Sequence, residues 1–389
     1  MNSTITPAQD VRIAVIGGGP GGLTLARVLQ RNGISCTVFE REGSVLARPQ
    51  GGTLDMQSET GQVALRTAGL LAQFLALSRP EGQDGRMLDK TGRVLLEHQA
   101  DQDEQEKPEI DRGQLRTLLL DSLAPGTVRW HSDVREIREL QPAGYEIHLA
   151  DGTTHVADVV VGADGAWSKV RPLLSSAMPE YTGVTFVEIH LDQVDEHHPN
   201  LAELVGNGSM FALSDNKGLL AQRNSGGHVR VYAALRVPED WARTSGIDFA
   251  DPSAARPALR ACFADWASEL LALIDAGDKE FVPRPLYALP FPHTWRSRPG
   301  VTLLGDAAHL MSPFSGLGAN LAMLDGAELG TALAEAVTAD TSVDDAIAGY
   351  ESVMLPRGAD AAEGAARGIE IAISADAPLG ALAYLGENA

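Results

Sequence analysis

The chain has 389 residues, 31 basic against 52 acidic, for a formal net charge of −21. That length is enough for a large core and suggests two domains, and the charge argues against nucleic acid and anionic membrane surfaces as partners. Two cysteines, Cys36 and Cys262, are too few for a disulfide framework. No apolar run reaches the ~20 residues that cross a bilayer. Residues 1–7 lack the basic start and apolar core of a signal peptide, so a cytoplasmic location is expected.

In chain order, Ile13–Ile16 reads as a buried strand. It breaks into Gly17-Gly18-Gly19-Pro20-Gly21-Gly22 and then a helix. The next apolar strand, Cys36–Phe39, ends in Glu40. A glycine-marked loop over 48–55 leads to a helix over 58–77, with Val63, Leu65, Leu70, Leu71 and Phe74 as its core face. Residues 87–97 read as a hairpin about Asp89-Lys90-Thr91-Gly92. Residues 99–107 read as a surface loop whose acids, Asp101, Asp103, Glu104 and Glu106, are solvated. Asp111 is the expected N-cap of a helix over 113–123.

Two alternating strands, Tyr145–Leu149 and Thr154–Ala157, come next. The continuous apolar run 159–161 suits a strand buried on both faces of a parallel sheet, and it ends in Gly162-Ala163-Asp164-Gly165. From 182 to 289 strand-like runs (184–191, 218–222 and 228–237) alternate with loops around one helical segment, 254–276. This reads as a second domain on a mostly antiparallel sheet. A buried strand over 301–304 ends in Gly305-Asp306, followed by a glycine loop and a long helix over 319–337. Ser342 and Asp345 form a capping box, and the alanine-rich stretch 359–385 reads as helix.

The first unit is the fingerprint of a dinucleotide-binding βαβ fold. Gly17 allows the tight turn, Gly19 lets the backbone approach a pyrophosphate at the helix N-terminus, and Gly22 lets the helix pack on the strand. Glu40 is placed to accept hydrogen bonds from a ribose diol. The segments at Gly162 and Gly305 repeat the same grammar of buried strand, glycine turn and helix, with an aspartate in the turn.

These three segments, together with Gly51-Gly52-Thr53-Leu54-Asp55 and Glu109-Ile110-Asp111-Arg112-Gly113-Gln114-Leu115-Arg116, resemble the FAD-dependent aromatic hydroxylases, the single-component flavoprotein monooxygenases. Among these the chain is most similar to the tetracycline-inactivating monooxygenases, over residues 11 to about 356. The resemblance implies an α/β fold. Residues 1–76, 105–175 and 285–340 would form a discontinuous Rossmann-like FAD domain. Residues 77–104 and 176–284 would form an α+β substrate domain, and 341–389 a C-terminal helical segment.

The resemblance also implies roles. Glu40 and Arg41 would hold the adenosine half of FAD, and Arg48 would contact NADPH. Asp55, Arg112 and Arg116 would contact FAD, Asp164 would lie at the face shared by FAD and NADPH, and Asp306 would bond the ribityl chain. Gly316, Gly318 and Asn320 would lie beside the flavin ring, with Pro313 and Phe314 over its substrate face. The helix that starts near Ala319 would aim its N-terminus at the anionic edge of reduced flavin.

The implied reaction uses NADPH (or NADH) and O₂ to hydroxylate a phenolic or enolic carbon through a C4a-hydroperoxyflavin, with no metal and no protein nucleophile. Two departures stand out. Ser312-Pro313 and Gly316-Leu317-Gly318 replace the family's Pro-Pro and Gly-Gln-Gly. Three family positions that hold tetracycline (a Gln, an Arg and a His) fall on Glu188, Met210 and Arg230, and an aromatic wall position falls on Ala221.

The expected partners are a small aromatic or polycyclic substrate and O₂, for a monomer or weak homodimer. Other readings stay open: a biosynthetic or catabolic hydroxylase with another substrate, a flavin dehydrogenase or halogenase, and a flavin-binding sensor or sequestering protein without turnover. The WxWxIP segment of halogenases is missing. His197-His198 beside Asp192, Asp195 and Glu196 raises a metal site, but adjacent histidines diverge in a strand and the run reads as a loop. His309 is a packing partner or a base, His228 and Arg230 share a strand face, and Trp167 reads as packing.

Overall fold

The computed structural model describes residues 11–47, 51–101 and 106–387, the last four by backbone alone. Runs of valine, isoleucine and leucine buried on both faces form a five-stranded sheet. Its order is Val301–Leu303, Val159–Gly162, Ile13–Ile16, Cys36–Phe39 and Val128–Arg129. All neighbours are parallel. Ile16 stands opposite both Gly162 and Phe39, so the turns at Gly17, Ala163, Glu40 and Leu304 leave the sheet at one end. Ligands of open parallel sheets bind at that end.

Five helices position the site: α1 (Pro20–Arg31), α2 (Arg112–Asp121), α3 (Asp306–His309), α4 (Gly318–Ala339) and α5 (Val343–Ala372). α1 crosses α4 at backbone contact. A Cβ on Gly326 would lie 2.3 Å from the Gly21 carbonyl oxygen, and one on Gly21 2.5 Å from that of Ala322.

A second, seven-stranded sheet runs Val282–Ala288, Glu180–Leu191, Val229–Arg236, Lys217–Arg223, Ser209–Ser214, Gly85–Leu88 and Val94–His98. It is antiparallel except where Ser209–Ser214 meets Gly85–Leu88. The period of two gives it two faces. Val187, Ile189, Met210, Ala212, Leu219, Ala221 and Val231 pack under the helices Pro252–Cys262 and Ser268–Asp275. Phe186, Leu213 and Leu220 look the other way, toward Phe314 and the end of α5.

Several elements differ from the sequence reading. The helix expected over 58–77 is two, Gly61–Ala68 and Leu71–Leu77, because Gly69 takes a left-handed φ of 71° and caps the first. The segment 254–276 also divides, with Phe263 and Trp266 packed edge to face at 5.0 Å between the halves. Strands at Ser209–Ser214 and Val282–Ala288 were not anticipated. The first is buried at four of its six positions, with no clean alternation. The second carries Pro283 and Pro285, which an edge strand tolerates. Ser342 does accept the Asp345 N–H, at 3.1 Å. Asp111 stands at the N-cap of α2 but makes no cap bond. Its carboxylate instead accepts from Arg79 at 3.2 Å, Asn224 at 3.1 Å and the Ser225 N–H.

Asp111 belongs to a two-stranded ribbon, Thr53–Asp55 against Glu109–Asp111, too short to announce itself in sequence. Asp55 stands opposite Glu109. Burial pushes the Glu109 carboxyl up to about 7, with Asp55 and Asp111 adding to the rise and Thr53 and Arg79 opposing it. A carboxyl raised on folding contributes stability that is present below its unfolded pKa and lost as pH rises through the folded value.

Two variants test these contacts, and a third serves as a control. Gly326→Ala is expected to cost about 1–3 kcal/mol by overpacking, read as a lower Tm. Gly364→Ala on α5, where a Cβ meets nothing within 4 Å, should leave Tm level or raise it. Glu109→Gln should match the wild type near pH 5 and exceed its stability near pH 8 by up to about 3 kcal/mol. Equal pH dependence of unfolding in the two proteins would refute the buried, protonated carboxyl.

Candidate functional site

The site grows from the shared end of the parallel strands. Gly17 has φ +108°, and a Cβ there would sit 2.2 Å from the Ala163 oxygen; one on Gly22 would sit 2.3 Å from the Gly17 oxygen. Both glycines are therefore fixed by close approach. Gly19 is different: an added Cβ meets nothing within 4 Å. The space above it is open, and no side chain caps the N-terminus of α1. Unsatisfied first-turn N–H groups with room above them suit an anion.

The flanks of this opening are polar. Glu40 is buried and accepts the Gly18 N–H at 2.8 Å and the Glu42 N–H at 2.9 Å. Arg116, also buried, donates to Glu42 at 2.7 Å, lies 3.9 Å from Glu40 and stacks its guanidinium on Trp130. Arg41 and Arg112 are exposed, and the Arg112 N–H ties α2 to Gly52 at 3.1 Å. Arg48 lies outside the described residues. Asp164 accepts the Lys169 N–H at 2.6 Å through Oδ2. Its Oδ1 is buried without a partner, and burial holds its carboxyl above the ordinary aspartate value. Asp306 is exposed at the start of α3. An open glycine cradle, an unpartnered acceptor and an exposed carboxylate along one sheet end fit a dinucleotide with hydroxyls to donate.

The loop before α4 forms the next wall. Pro313 and Gly316 are exposed, and Gly316 has φ +67°. A Cβ on Gly318 would come within 4.0 Å of Asp306, so the α4 N-terminus stands beside that carboxylate. Asn320 is fully buried. Its amide donates to Asp55 O at 2.8 Å and Gly316 O at 3.2 Å, and accepts from the N–H groups of Gln57 at 3.0 Å and Gly61 at 3.2 Å. That uses both donors and both lone pairs, so the Asn320 side chain clamps the loop and has none left for a ligand.

The open sheet face lies across from this loop. Phe186 meets Phe314 edge to face at 6.0 Å and Tyr232 at 5.4 Å. A Cβ on Gly52 would come 3.0 Å from Gln222, 3.2 Å from the Tyr232 hydroxyl and 3.6 Å from Arg230. Glu188 is buried and accepts from Arg230 at 2.5 Å, Arg284 at 2.9 Å and His190 at 3.2 Å. Burial raises its carboxyl, but the His190 bond and the charges of Arg230 and Arg284 outweigh this and hold it at about 2. Arg230 is 5% exposed, and its Nε has no partner.

Met210 does not join this face. It is fully buried on the helix-covered side, as is Ala221 opposite it. A strand position one residue out of phase points through the sheet, so the placement of Met210 in the substrate site is corrected.

Among the remaining candidates, His228 bonds Asp192 at 2.7 Å. Trp167 is 55% exposed and stands edge-on to Tyr287 at 5.3 Å. His309 is buried against Asp325 and is a packing partner. Tyr232, Arg284, Glu109 and Asp325 were missed. Tyr232 lies in an expected strand-like run and Glu109 in a quoted motif; Arg284, in a strand with two prolines, and Asp325, in mid-helix, had no signal of their own.

No group of three or more histidine, cysteine, aspartate or glutamate side chains placed to hold a metal occurs among the described residues. None of the described helices is long and apolar enough to cross a membrane.

Comparison with known proteins agrees with this geometry. Residues 10–265 and 291–365 match the FAD binding domain family. The chain is 34% identical to the 3-amino-4-hydroxybenzoate 2-monooxygenase PtmB3 of Streptomyces platensis, covering 89% of this chain and 84% of that protein. It is 32% identical to the monooxygenase penA of Penicillium thymicola, covering 91% and 93%. The crystal structure of the tetracycline destructase Tet(51) superposes with a TM-score of 0.71 over 97% of this chain and 95% of that one, at 20% identity, a likeness of fold. The chain belongs to the FAD-dependent aromatic monooxygenases.

Proposed function

We propose that this enzyme uses NAD(P)H and O₂ to hydroxylate an electron-rich carbon of a flat phenolic or enolic molecule. The observation that carries the reading is the meeting of two surfaces: the dinucleotide cradle reaches the aromatic and cationic sheet face through Gly52 and Phe314. The balance is R–H + O₂ + NAD(P)H + H⁺ giving R–OH + H₂O + NAD(P)⁺.

FAD would lie with its pyrophosphate at the N-terminus of α1 and its adenosine toward Glu40, Arg41 and Arg116. Asp164 and Asp306 would accept from its hydroxyls, and the N-terminus of α4 with Gly316 and Gly318 would border its ring. When bound, it takes electrons from the nicotinamide and activates O₂. The protein's own part is orientation and dryness. Arg230 offers donors to an acceptor oxygen of the substrate, and Glu188, which also accepts from Arg284 and His190, fixes the guanidinium. Phe186, Tyr232 and Phe314 cover the ring of the substrate and exclude water.

The relative named for 3-amino-4-hydroxybenzoate supports a phenolic substrate. Tetracycline rests on likeness of fold, and the changed positions Glu188 and Arg230 favour a different molecule.

The decisive assay is NADPH consumption in air by the FAD-loaded protein, with tetracycline and with 3-amino-4-hydroxybenzoate, followed by product mass. Faster NADPH loss with a gain of one oxygen atom identifies the substrate class. NADPH loss no faster than in buffer would leave a flavin-sequestering protein. Asp306→Ala should weaken FAD binding about tenfold or more, and Arg230→Met should raise KM by a similar factor. FAD retained at wild-type affinity, or unchanged kinetics, would remove those residues from the site.

A further inference from the structure

The turn that carries Asp306 is held from behind by a side chain that meets no ligand. Gly305 has φ +57°, and a Cβ there would lie 2.7 Å from the Ala322 side chain in α4. Its N–H donates to Asp325 Oδ2 at 3.0 Å. The same oxygen takes His309 Nε2 at 2.7 Å, and Oδ1 takes Arg357 Nη2 at 2.9 Å. Arg357 also makes two bonds to Glu328, at 2.8 and 2.6 Å. Asp325 has no exposed surface, and His309 has 5%. Gly358 of α5 closes over the His309 side chain, where a Cβ would come within 3.0–3.2 Å of two ring atoms and the histidine Cβ. One dry carboxylate on α4 thus gathers the turn, α3 and α5.

The charges close only in one protonation state. With His309 protonated, Asp325 and Glu328 balance His309 and Arg357. With His309 neutral, the cluster holds one net negative charge. Burial pushes the imidazole down, but the charge and bond of Asp325 and the charge of Asp306 outweigh it and hold its pKa above the ordinary histidine value. The groups acting on His309 are Asp325 of α4 and Asp306 of α3, with Arg357 of α5 on the other Asp325 oxygen and Glu328 beyond it. His293 and Arg171, which bond the oxygens of Ala308 and Ala307, face it from behind α3.

We propose that Asp325 and His309 are positioning residues for the cofactor. The Asp325 carboxylate locks the Gly305–Asp306 turn to α4, and the His309 imidazolium keeps that lock electrically neutral behind a site for an anion. This rests on the reading that Asp306 contacts FAD. As pH rises through the raised His309 value, the cluster gains its net negative charge, and FAD affinity falls.

The test is FAD binding to the apoprotein, followed by quenching of flavin fluorescence from pH 6 to 9, with circular dichroism to establish folding. Asp325→Asn is expected to raise Kd about tenfold at pH 6.5. Wild-type Kd should rise about threefold or more toward pH 9. His309→Gln keeps a donor for Asp325 and removes the charge, so its Kd should be flatter across the same range. Other groups that titrate there, Glu109 among them, act equally in both proteins and cancel in the comparison.

A folded Asp325→Asn protein with Kd within twofold of wild type overturns the proposal, as does a His309→Gln profile parallel to the wild type. If Asp325→Asn does not fold, the His309→Gln profile decides. Asp306→Ala separates the two ideas. If it binds FAD normally, the reading of Asp306 fails; if it loses FAD while Asp325→Asn does not, only the lock fails.

Discussion

Backbone contact between α1 and α4 is the constraint on which the rest of the site depends. Side chains normally hold helices 8–10 Å apart. Here Gly21 and Gly326 bring one helix against the carbonyl groups of the other. α1 begins at the cradle and α4 begins beside Asp306, so their crossing fixes the separation of two helix N-termini. Each offers unsatisfied N–H groups, a spacing that suits the proposed seat of a long anionic ligand. The Gly17–Ala163 contact adds the third fixed point.

The second sheet solves a different problem: holding charge in a dry place. Glu188 is surrounded by two guanidinium groups and an imidazole. A buried carboxylate with that many donors stays ionised and is stable only while paired. The reverse also holds. Arg230 cannot be buried without Glu188, so the glutamate that replaces the family's glutamine is the counter-ion that permits an inward-facing arginine. In a chain of net charge −21, this face still carries more cationic than anionic groups. On the reading proposed above, such a face suits a substrate with an acceptor or anionic oxygen.

Much of this was legible in the residues. The strand–glycine–helix grammar located all three turns, because Gly17, Gly22, Gly162 and Gly305 are each demanded by a close contact. What failed was phase and partnership. Met210 was placed on the wrong side because a one-residue uncertainty in a strand exchanges the faces. The amide of Asn320 is consumed by four backbone groups from distant segments, partners that no local motif announces. The Thr53–Asp55 ribbon is three residues long, below any periodic signal, so the pairing that raises Glu109 left no mark in the sequence. Asp325 sits mid-helix in an apolar run, and nothing local announces that it pairs with a histidine sixteen residues earlier.

The altered loop before α4 has a physical account. Ser312 stands where the resembled family has proline, and its hydroxyl donates to the Ala365 oxygen of α5 at 2.7 Å, a bond proline cannot make. Leu317 stands where that family has glutamine, and it packs with Met311, Leu321 and Ala365. Both changes tie the loop to α5, while Asn320 ties its other side to the Asp55 strand. The loop is thereby a fixed wall with apolar backing. The opposite wall, with Arg230, Arg284, Tyr232 and Gln222, belongs to the other sheet, so its side chains can differ without disturbing the cradle.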